Sequence, residues 1–272
     1  MSKYCLITGA SSGIGEEFAY IFAKNNYDLI LVARRKDRLE KIKETINKMY
    51  KVDVICLSYD LSSLENIDCL FKDLKNKNIF VHTLINNAGF AYHSNYVNSD
   101  YNKQQNLIDL NISCLSKLSY LFGKEMVNKK EGEILNIASI AAYMSGPYAA
   151  TYYASKSYVL SFSEALKEEL KPYNVVVSCI CPGPTKTEFE EKALLKDSNM
   201  FKSLPVMKAS KVAKIGFTAL KRKRTVVHCG IFVKFGAFLT RFFPRCLTRK
   251  VGKSVNKNPL KKQLFRYKFF NF

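Results

Sequence analysis

The sequence predicts an α/β fold: a doubly wound, mostly parallel seven-stranded sheet with helices on both faces. Three observations carry this expectation. Short β-branched or apolar runs alternate with longer helical patterns through the first two hundred residues, the order that βαβ units produce. A glycine-rich turn, Thr8-Gly9-Ala10-Ser11-Ser12-Gly13-Ile14-Gly15, leaves the first apolar run and enters the first helical pattern. With 272 residues, 47% of them hydrophobic and 24% charged, the chain has an ordinary globular composition and a length that this architecture often folds as one domain.

Strands are expected at Lys3–Thr8, Asp28–Ala33, Asp53–Ser58, His82–Asn86, Gly132–Ala138, Val175–Ile180 and Thr225–Val227, where apolar and β-branched residues cluster. Between them, apolar positions three and four apart predict helices at Gly13–Asn25, Lys36–Met49, Leu64–Lys77, Tyr101–Asn128, Thr151–Lys171 and Ser210–Lys221. Two stretches break the alternation. Residues 184–206 follow a Pro-Gly-Pro turn without strand pattern and read as a loop with a short helix over a substrate cleft. From Gly230 onward the sequence mixes Phe, Lys and Arg, so the domain reading is 1–230 for a dinucleotide-binding catalytic unit and 231–272 for a basic aromatic extension.

Bulk properties narrow the setting. The eight cysteines show no CxxC pair and sit mostly in apolar runs, which fits buried thiols in a reducing, cytoplasmic compartment. The N-terminus enters a strand directly instead of a basic and apolar leader, and no apolar run reaches the ~18 residues of a membrane span. Net charge is +20, but its distribution is uneven: Lys202–Phe272 holds 19 Lys or Arg and no acid, leaving 24 basic against 23 acidic residues elsewhere. Such segregation speaks to partners and not to fold. Three histidines, His82, His93 and His228, form no cluster with spaced acids or thiols, so no metal is expected.

The glycine turn is the first chemical signal. Glycines let backbone N–H groups approach a pyrophosphate, and the following helix N-terminus adds positive partial charge. The strand before it and the helix after it are the context that a Rossmann-type dinucleotide site requires. After the second strand no Asp or Glu waits for a ribose 2′-hydroxyl; Arg34 and Arg35 stand there. A guanidinium holds a 2′-phosphate by paired, charge-assisted hydrogen bonds, with Ser11 able to add a hydroxyl, so NADP(H) is expected over NAD.

Further along stand Asp60 and Leu61, then Asn86-Asn87-Ala88-Gly89, Asn111, Ser139, and Tyr152 with Lys156. In this order the sequence resembles the short-chain dehydrogenase/reductase family over about residues 1–230, and within it the NADP-preferring carbonyl reductases. The resemblance implies a catalytic tetrad of Asn111, Ser139, Tyr152 and Lys156. It implies a cofactor site of Gly9, Ser11, Ser12, Gly13, Ile14, Gly15, Arg34, Arg35, Asp60, Leu61, Asn87, Ala88 and Gly89, completed by Tyr152, Lys156, Pro182, Gly183 and Thr187. Two tyrosines are adjacent in Tyr152-Tyr153-Ala154-Ser155-Lys156, and only Tyr152 has the YxxxK spacing. It further implies a homodimer or homotetramer through the helices around Asn111 and Tyr152, and an Asn111-held water relaying protons to Lys156.

Physical chemistry supports those roles independently. Residues i and i+4 share a helix face, so Lys156 lies beside Tyr152. A nearby ammonium, together with the positive nicotinamide of the oxidised cofactor, favours the phenolate and is expected to lower the tyrosine below its ordinary value of about 10. Ser139 is expected to hydrogen-bond the substrate oxygen while Tyr152 exchanges its proton. The partner expected is a small carbonyl or alcohol, hydrophobic because residues 189–207 are rich in Phe, Leu and Met. Three readings of the basic tail stay open. A solvated terminus leads, peripheral contact with anionic membrane comes second because Phe235, Phe238, Phe242 and Phe243 make an apolar stripe beside Lys234, Arg241 and Arg245, and nucleic acid is disfavoured for want of a module.

Overall fold

A computed structural model describes residues 3–188 and 205–256. The chain runs β1 (Lys3–Thr8), α1 (Gly13–Lys24), β2 (Tyr27–Val32), α2 (Lys36–Met49), β3 (Val54–Leu57), α3 (Leu64–Asn76) and β4 (Val81–Asn86). It continues through α4 (Tyr101–Ile108), α5 (Leu115–Lys129), β5 (Gly132–Ile137), α6 (Ala150–Leu170) and β6 (Val175–Pro182). Then follow β7 (Thr185–Lys186), β8 (Met207–Lys208), α7 (Ala209–Lys221), β9 (Val226–Cys229), α8 (Ile231–Leu239) and α9 (Arg245–Asn256).

Seven strands pair in the order β3-β2-β1-β4-β5-β6-β9, every pairing parallel. Parallel strands need crossovers, and the helices that supply them cover both faces, so β2 and β4 are buried along their whole length. The pleat divides each strand between two cores. Cys5, Ile7, Leu29 and Leu31 pack with Phe18 and Phe22 of α1, Ile42 of α2 and Leu220 of α7. Leu6, Ile30 and Val32 point the other way, onto Leu70 of α3 and Leu118 and Phe122 of α5. Each such fully buried side chain stabilises the fold by about 1.5–3 kcal/mol, and a one-residue slip of β1 or β2 would swap the two sets between layers.

The strand order reverses between β1 and β4. That switch point opens a crevice at the carboxyl ends of both strands, and the glycine turn after β1 and the Asn87–Gly89 segment after β4 both lie at it.

Four features depart from the sequence expectation. Strand ends shift by a residue or two: β9 reaches Cys229 because His228 and Cys229 pair with Cys181 and Pro182. The single helix expected over Tyr101–Asn128 is α4 and α5 joined by a π-helical segment, Asp109–Cys114, a form found mostly as one turn inside an α-helix. The stretch 184–206, read without strands, contributes β7, which pairs in parallel with β8; most of the stretch, including the apolar residues from Phe189 to Leu204, lies outside the described residues.

The fourth departure concerns the extension. Read first as a solvated terminus, its described part, 231–256, packs on the sheet domain as α8 and α9. Val233 and Ala237 of α8 are buried. A Cβ at Gly252 of α9 would stand 2.2 Å from Ser145 O, so the helix rests directly on that turn. Asn256 is fully buried: its Nδ2 donates to Pro147 O (3.0 Å), its Oδ1 accepts from the Tyr153 hydroxyl (3.0 Å), and its carbonyl lies 2.6 Å from His93 Nε2.

Removing Asn256 strands the Tyr153 hydroxyl and the Pro147 carbonyl, each at a cost of about 1–3 kcal/mol. Asn256→Ala is therefore expected to lower unfolding stability by roughly that amount and to raise amide exchange in α9 and residues 145–148. Unchanged exchange in both segments would show that α9 is not held there.

Candidate active site

The crevice at the switch point forms a cleft of about 350 Å³. One wall is the glycine turn. Gly9 and Gly13 have positive φ, 65° and 62°, a region that side-chain-bearing residues avoid. The N-terminus of α1 receives no side-chain cap from Ser12, so its backbone N–H groups remain available to an anion in the cleft. Gly15 stands behind this wall instead of lining it: a Cβ there would meet Gly9 O at 2.4 Å, so Gly15 permits the close turn.

Thr8 fastens this turn to the segment after β4. Its hydroxyl donates to Ile85 O (3.1 Å) and accepts from the backbone N–H groups of Asn87 (3.0 Å) and Ala88 (2.9 Å). Asn87 answers with its side-chain amide on Thr8 O (2.9 Å) and Gly9 O (3.3 Å). Asn87, Ala88 and Gly89 do line the cleft, but the Asn87 side chain is committed to the glycine turn.

At the outer end the two arginines divide their tasks. Arg34 is largely exposed and lies 3.7 Å from Asp60 Oδ2. Asp60 also accepts from Ser62 N (3.1 Å) and Ser62 Oγ (2.8 Å), and these contacts outweigh burial and hold its carboxyl below the ordinary value. Arg35 turns into the cleft: Nη2 donates to Ser11 Oγ (3.0 Å) and Ser12 Oγ (2.9 Å), and Nη1 donates to Glu188 Oε2 (2.8 Å). Arg38 pairs with the same carboxylate. The sequence reading named both arginines and put Arg34 first; the geometry makes Arg35 the guanidinium joined to the glycine turn. Leu61, Pro182, Gly183 and Thr187 complete the lining.

At the inner end Ser139, Tyr152 and Lys156 come together. Ser139 follows β5 and caps a short 3-10 turn, accepting from Ala141 N (3.1 Å). Its side chain hydrogen-bonds the Tyr152 hydroxyl. Lys156 Nζ donates to Ile137 O (2.8 Å) and lies 5.9 Å from the Tyr152 ring centroid. Tyr153 points away, into its bond with Asn256.

Asn111 does not line the cleft. Buried in the π-helical segment, it accepts from Phe90 N (3.0 Å) and donates to Phe90 O (3.0 Å) and Ser155 Oγ (3.0 Å). It therefore clips the segment after β4 to the helix that carries Tyr152 and Lys156. Glu188, Arg38 and Ser155 escaped the sequence reading. Ser155, one residue before Lys156, was open to discovery from that adjacency; Glu188 meets Arg35 across 153 positions, which no local pattern reveals.

The lowering of Tyr152 was expected with the oxidised nicotinamide in place; in the protein alone, burial pushes its phenol up to about 12 despite the Ser139 hydrogen bond. Burial brings Lys156 down to about 8. Lys156 is thus neutral well before the pH at which Tyr152 ionises, and a neutral amine gives the phenolate no charge stabilisation.

A buried lysine held at about 8 binds fewer protons than its unfolded counterpart at about 10.5. Its penalty is complete below pH 8 and fades as pH rises toward 10.5. Wild-type protein is expected to gain roughly 2 kcal/mol of stability relative to Lys156→Met between pH 7 and 10, measured by denaturant unfolding of both proteins across that range. A pH-independent difference would contradict the buried, depressed lysine.

A model of the short chain dehydrogenase family matches residues 3–198. Among curated proteins, the chain is 31% identical over 231 residues to an NADP-dependent 3-hydroxy acid dehydrogenase of Schizosaccharomyces pombe, covering 83% of this chain and 89% of that one. It is 32% identical over 192 residues to dehydrogenase/reductase SDR family member 7 of Homo sapiens, covering 69% of this chain and 57% of that protein. With a very-long-chain 3-oxoacyl-CoA reductase of Phaeosphaeria nodorum it shares 33% identity over 181 residues, 65% of this chain and 53% of the relative. The chain thus spans little more than half the length of the latter two. Among solved structures, a short-chain dehydrogenase from Sphingobium yanoikuyae in complex with NADPH superposes with a TM-score of 0.79 at 28% identity, covering 88% of this chain and 93% of that one.

Proposed function

This chain belongs to the short-chain dehydrogenase family, and on that premise we propose that it is an NADP(H)-dependent oxidoreductase passing a hydride between nicotinamide and a carbonyl or alcohol carbon. One observation carries the reading. A glycine turn with an uncapped helix N-terminus, a serine-linked guanidinium, and the Ser139, Tyr152, Lys156 group line a single cleft.

The residues present fit the dinucleotide. The glycine turn and the N-terminus of α1 would hold its pyrophosphate, Arg35 with Ser11 and Ser12 its 2′-phosphate, and Asp60 with Leu61 the adenine end. Arg35 supports NADP(H) over NAD(H), and so do the NADP named for the fission-yeast relative and the NADPH bound in the Sphingobium structure. When bound, NADPH supplies the hydride that reaches the carbonyl carbon.

The protein's own groups manage the proton. Ser139 lies where its hydroxyl can hydrogen-bond the substrate oxygen as charge develops there. The Tyr152 hydroxyl, adjoining it, gives its proton to that oxygen and takes it back in the oxidative direction. Lys156 is held by Ile137 O at the cleft wall, where its ammonium opposes the charge left on Tyr152. With its pKa at about 8, Lys156 is mostly protonated at neutral pH, so its charge is available to Tyr152 there. Asn111 acts as a positioning residue for both.

The described wall around the inner end is apolar, with Phe90, Ala91, Ile140 and Ala141 at the cleft. This supports a hydrophobic ketone or acyl substrate, and the very-long-chain 3-oxoacyl-CoA reductase among the relatives agrees with it. Exposed Tyr120 on α5 and Tyr158 on α6 support self-association through these long helices.

NADPH oxidation across a ketone panel is expected to favour hydrophobic ketones; turnover restricted to small charged sugars would end that part of the reading. Tyr152→Phe is expected to lose about 10²–10⁴-fold in turnover while still binding NADPH, and full activity in it would refute the proton donor. Arg35→Ala is expected to weaken NADPH by roughly 10–100-fold and leave NADH affinity little changed. Equal losses for both cofactors would remove the 2′-phosphate assignment.

A further inference from the structure

A separate surface of the molecule has no part in the cleft chemistry. On α8 and the turn after it, Ile231, Phe235, Phe238 and Phe242 follow one another at helical spacing, and they are 73%, 61%, 53% and 69% exposed. Phe232 and Phe243 flank them, also exposed, and Phe238 and Phe242 are in ring contact with centroids 4.9 Å apart. The row continues on α9 with exposed Leu247 and Val251, one turn apart. The opposite faces of the two helices are the ones that pack on the domain, through Val233, Ala237, Gly252 and Asn256. This arrangement is fixed by folding, because α9 is locked by Asn256, so the aromatic face is held outward.

A contiguous set of large exposed apolar residues marks an interaction site in a folded protein. Its surroundings say which. Exposed Lys234, Arg241, Arg245, Arg249, Lys250 and Lys253 border the row, and from Lys202 to the end the sequence contains no acidic residue at all. A protein partner or a second copy of the chain would have to bury or neutralise these cations, and a second copy would bring the same positive charge to the interface. An anionic bilayer surface satisfies both demands together, taking the aromatic rings at the headgroup boundary and the cations among phosphates. Among the described residues no helix is long and apolar enough to cross a membrane, which agrees with attachment along the surface.

We propose that α8 and α9 form a docking face for an anionic lipid surface, the phenylalanine row entering the interface and the flanking lysines and arginines binding headgroups. The first of these helices, α8, packs behind the cleft wall. Val233 Cγ2 lies 2.8 Å from where a Cβ of Gly183 would stand, and Ile140 Cδ1 lies 3.7 Å from that of Gly236; Gly183 and Ile140 both line the cleft. Docking through this face therefore brings the cleft close to the lipid, although binding itself does not depend on the catalytic reading.

The test is flotation of the full chain with phosphatidylcholine vesicles, with and without phosphatidylserine, at low and high salt. Wild-type protein is expected to float with phosphatidylserine vesicles at low salt and much less with phosphatidylcholine alone. Phe235→Ser/Phe238→Ser/Phe242→Ser is expected to lose binding by well over tenfold. Lys234→Gln/Arg241→Gln/Arg245→Gln is expected to lose roughly fivefold per cation at low salt and little at high salt. All of these side chains are exposed, so circular dichroism and the thermal midpoint are expected to match wild type, as is turnover of a water-soluble ketone. Absence of flotation by wild type, or equal flotation by the phenylalanine variant, would overturn the proposal. So would a wild-type oligomer that the phenylalanine variant dissociates without any vesicle binding, since the face would then join copies of the chain. Equal retention on vesicles and on duplex DNA, both abolished only by the cation variant, would overturn the aromatic part and with it the lipid face.

Discussion

The burial of Lys156 beside Tyr152 is the constraint around which the site is arranged. Both side chains come from one face of α6, both are buried, and burial drives their pKa values apart: the phenol up to about 12 and the amine down to about 8. A tyrosine and a lysine in water would lie close together near 10. At neutral pH the sheet domain thus holds a neutral phenol well below its own pKa beside a lysine that is still mostly protonated. The Ser139 hydrogen bond tempers this separation without closing it.

Holding such a pair needs rigid support, and the fold supplies it at the switch point between β1 and β4. Thr8 bridges the two strand ends, Asn87 ties itself to the glycine turn, and Asn111 clips the segment after β4 to Ser155 on α6. These bonds link the wall of the glycine turn to the wall that carries Ser139, Tyr152 and Lys156 through a few side chains. The π-helical segment that carries Asn111 supplies the link between α4 and α5. At the far end Glu188 pairs with Arg35 and Arg38, so the segment after β7 meets the glycine turn through ionic contact.

Much of this was legible in the sequence, for physical reasons that can be named. The strands of the central sheet are buried on both faces and read as apolar runs, while the helices cover one face each and show their period. The glycine turn and the Tyr152, Lys156 pair were legible because a close backbone turn and two residues on one helix face both impose local spacing, whereas Ser139 came from the family resemblance. What escaped is non-local. Arg35 parted from Arg34 only through its partners Ser11, Ser12 and Glu188, and the π-helical turn at Asn111 leaves no mark on apolar periodicity. The docking of α9 depends on one buried asparagine and one glycine in a stretch whose composition suggested solvent. The rise of the Tyr152 phenol in the protein alone was not legible either, because spacing shows that Lys156 is near without showing how deeply both are buried.

Titration of the Tyr152 phenol tests the central claim most directly. With ¹³C-labelled tyrosine, and Tyr152→Phe to assign the signal, the resonance is expected to titrate near pH 12 in the free protein, in keeping with its burial, and at markedly lower pH with NADP⁺ bound. The same titration in both states, or a free-protein value near that of an exposed tyrosine at about 10, would contradict the account of a buried pair that awaits the cofactor's charge.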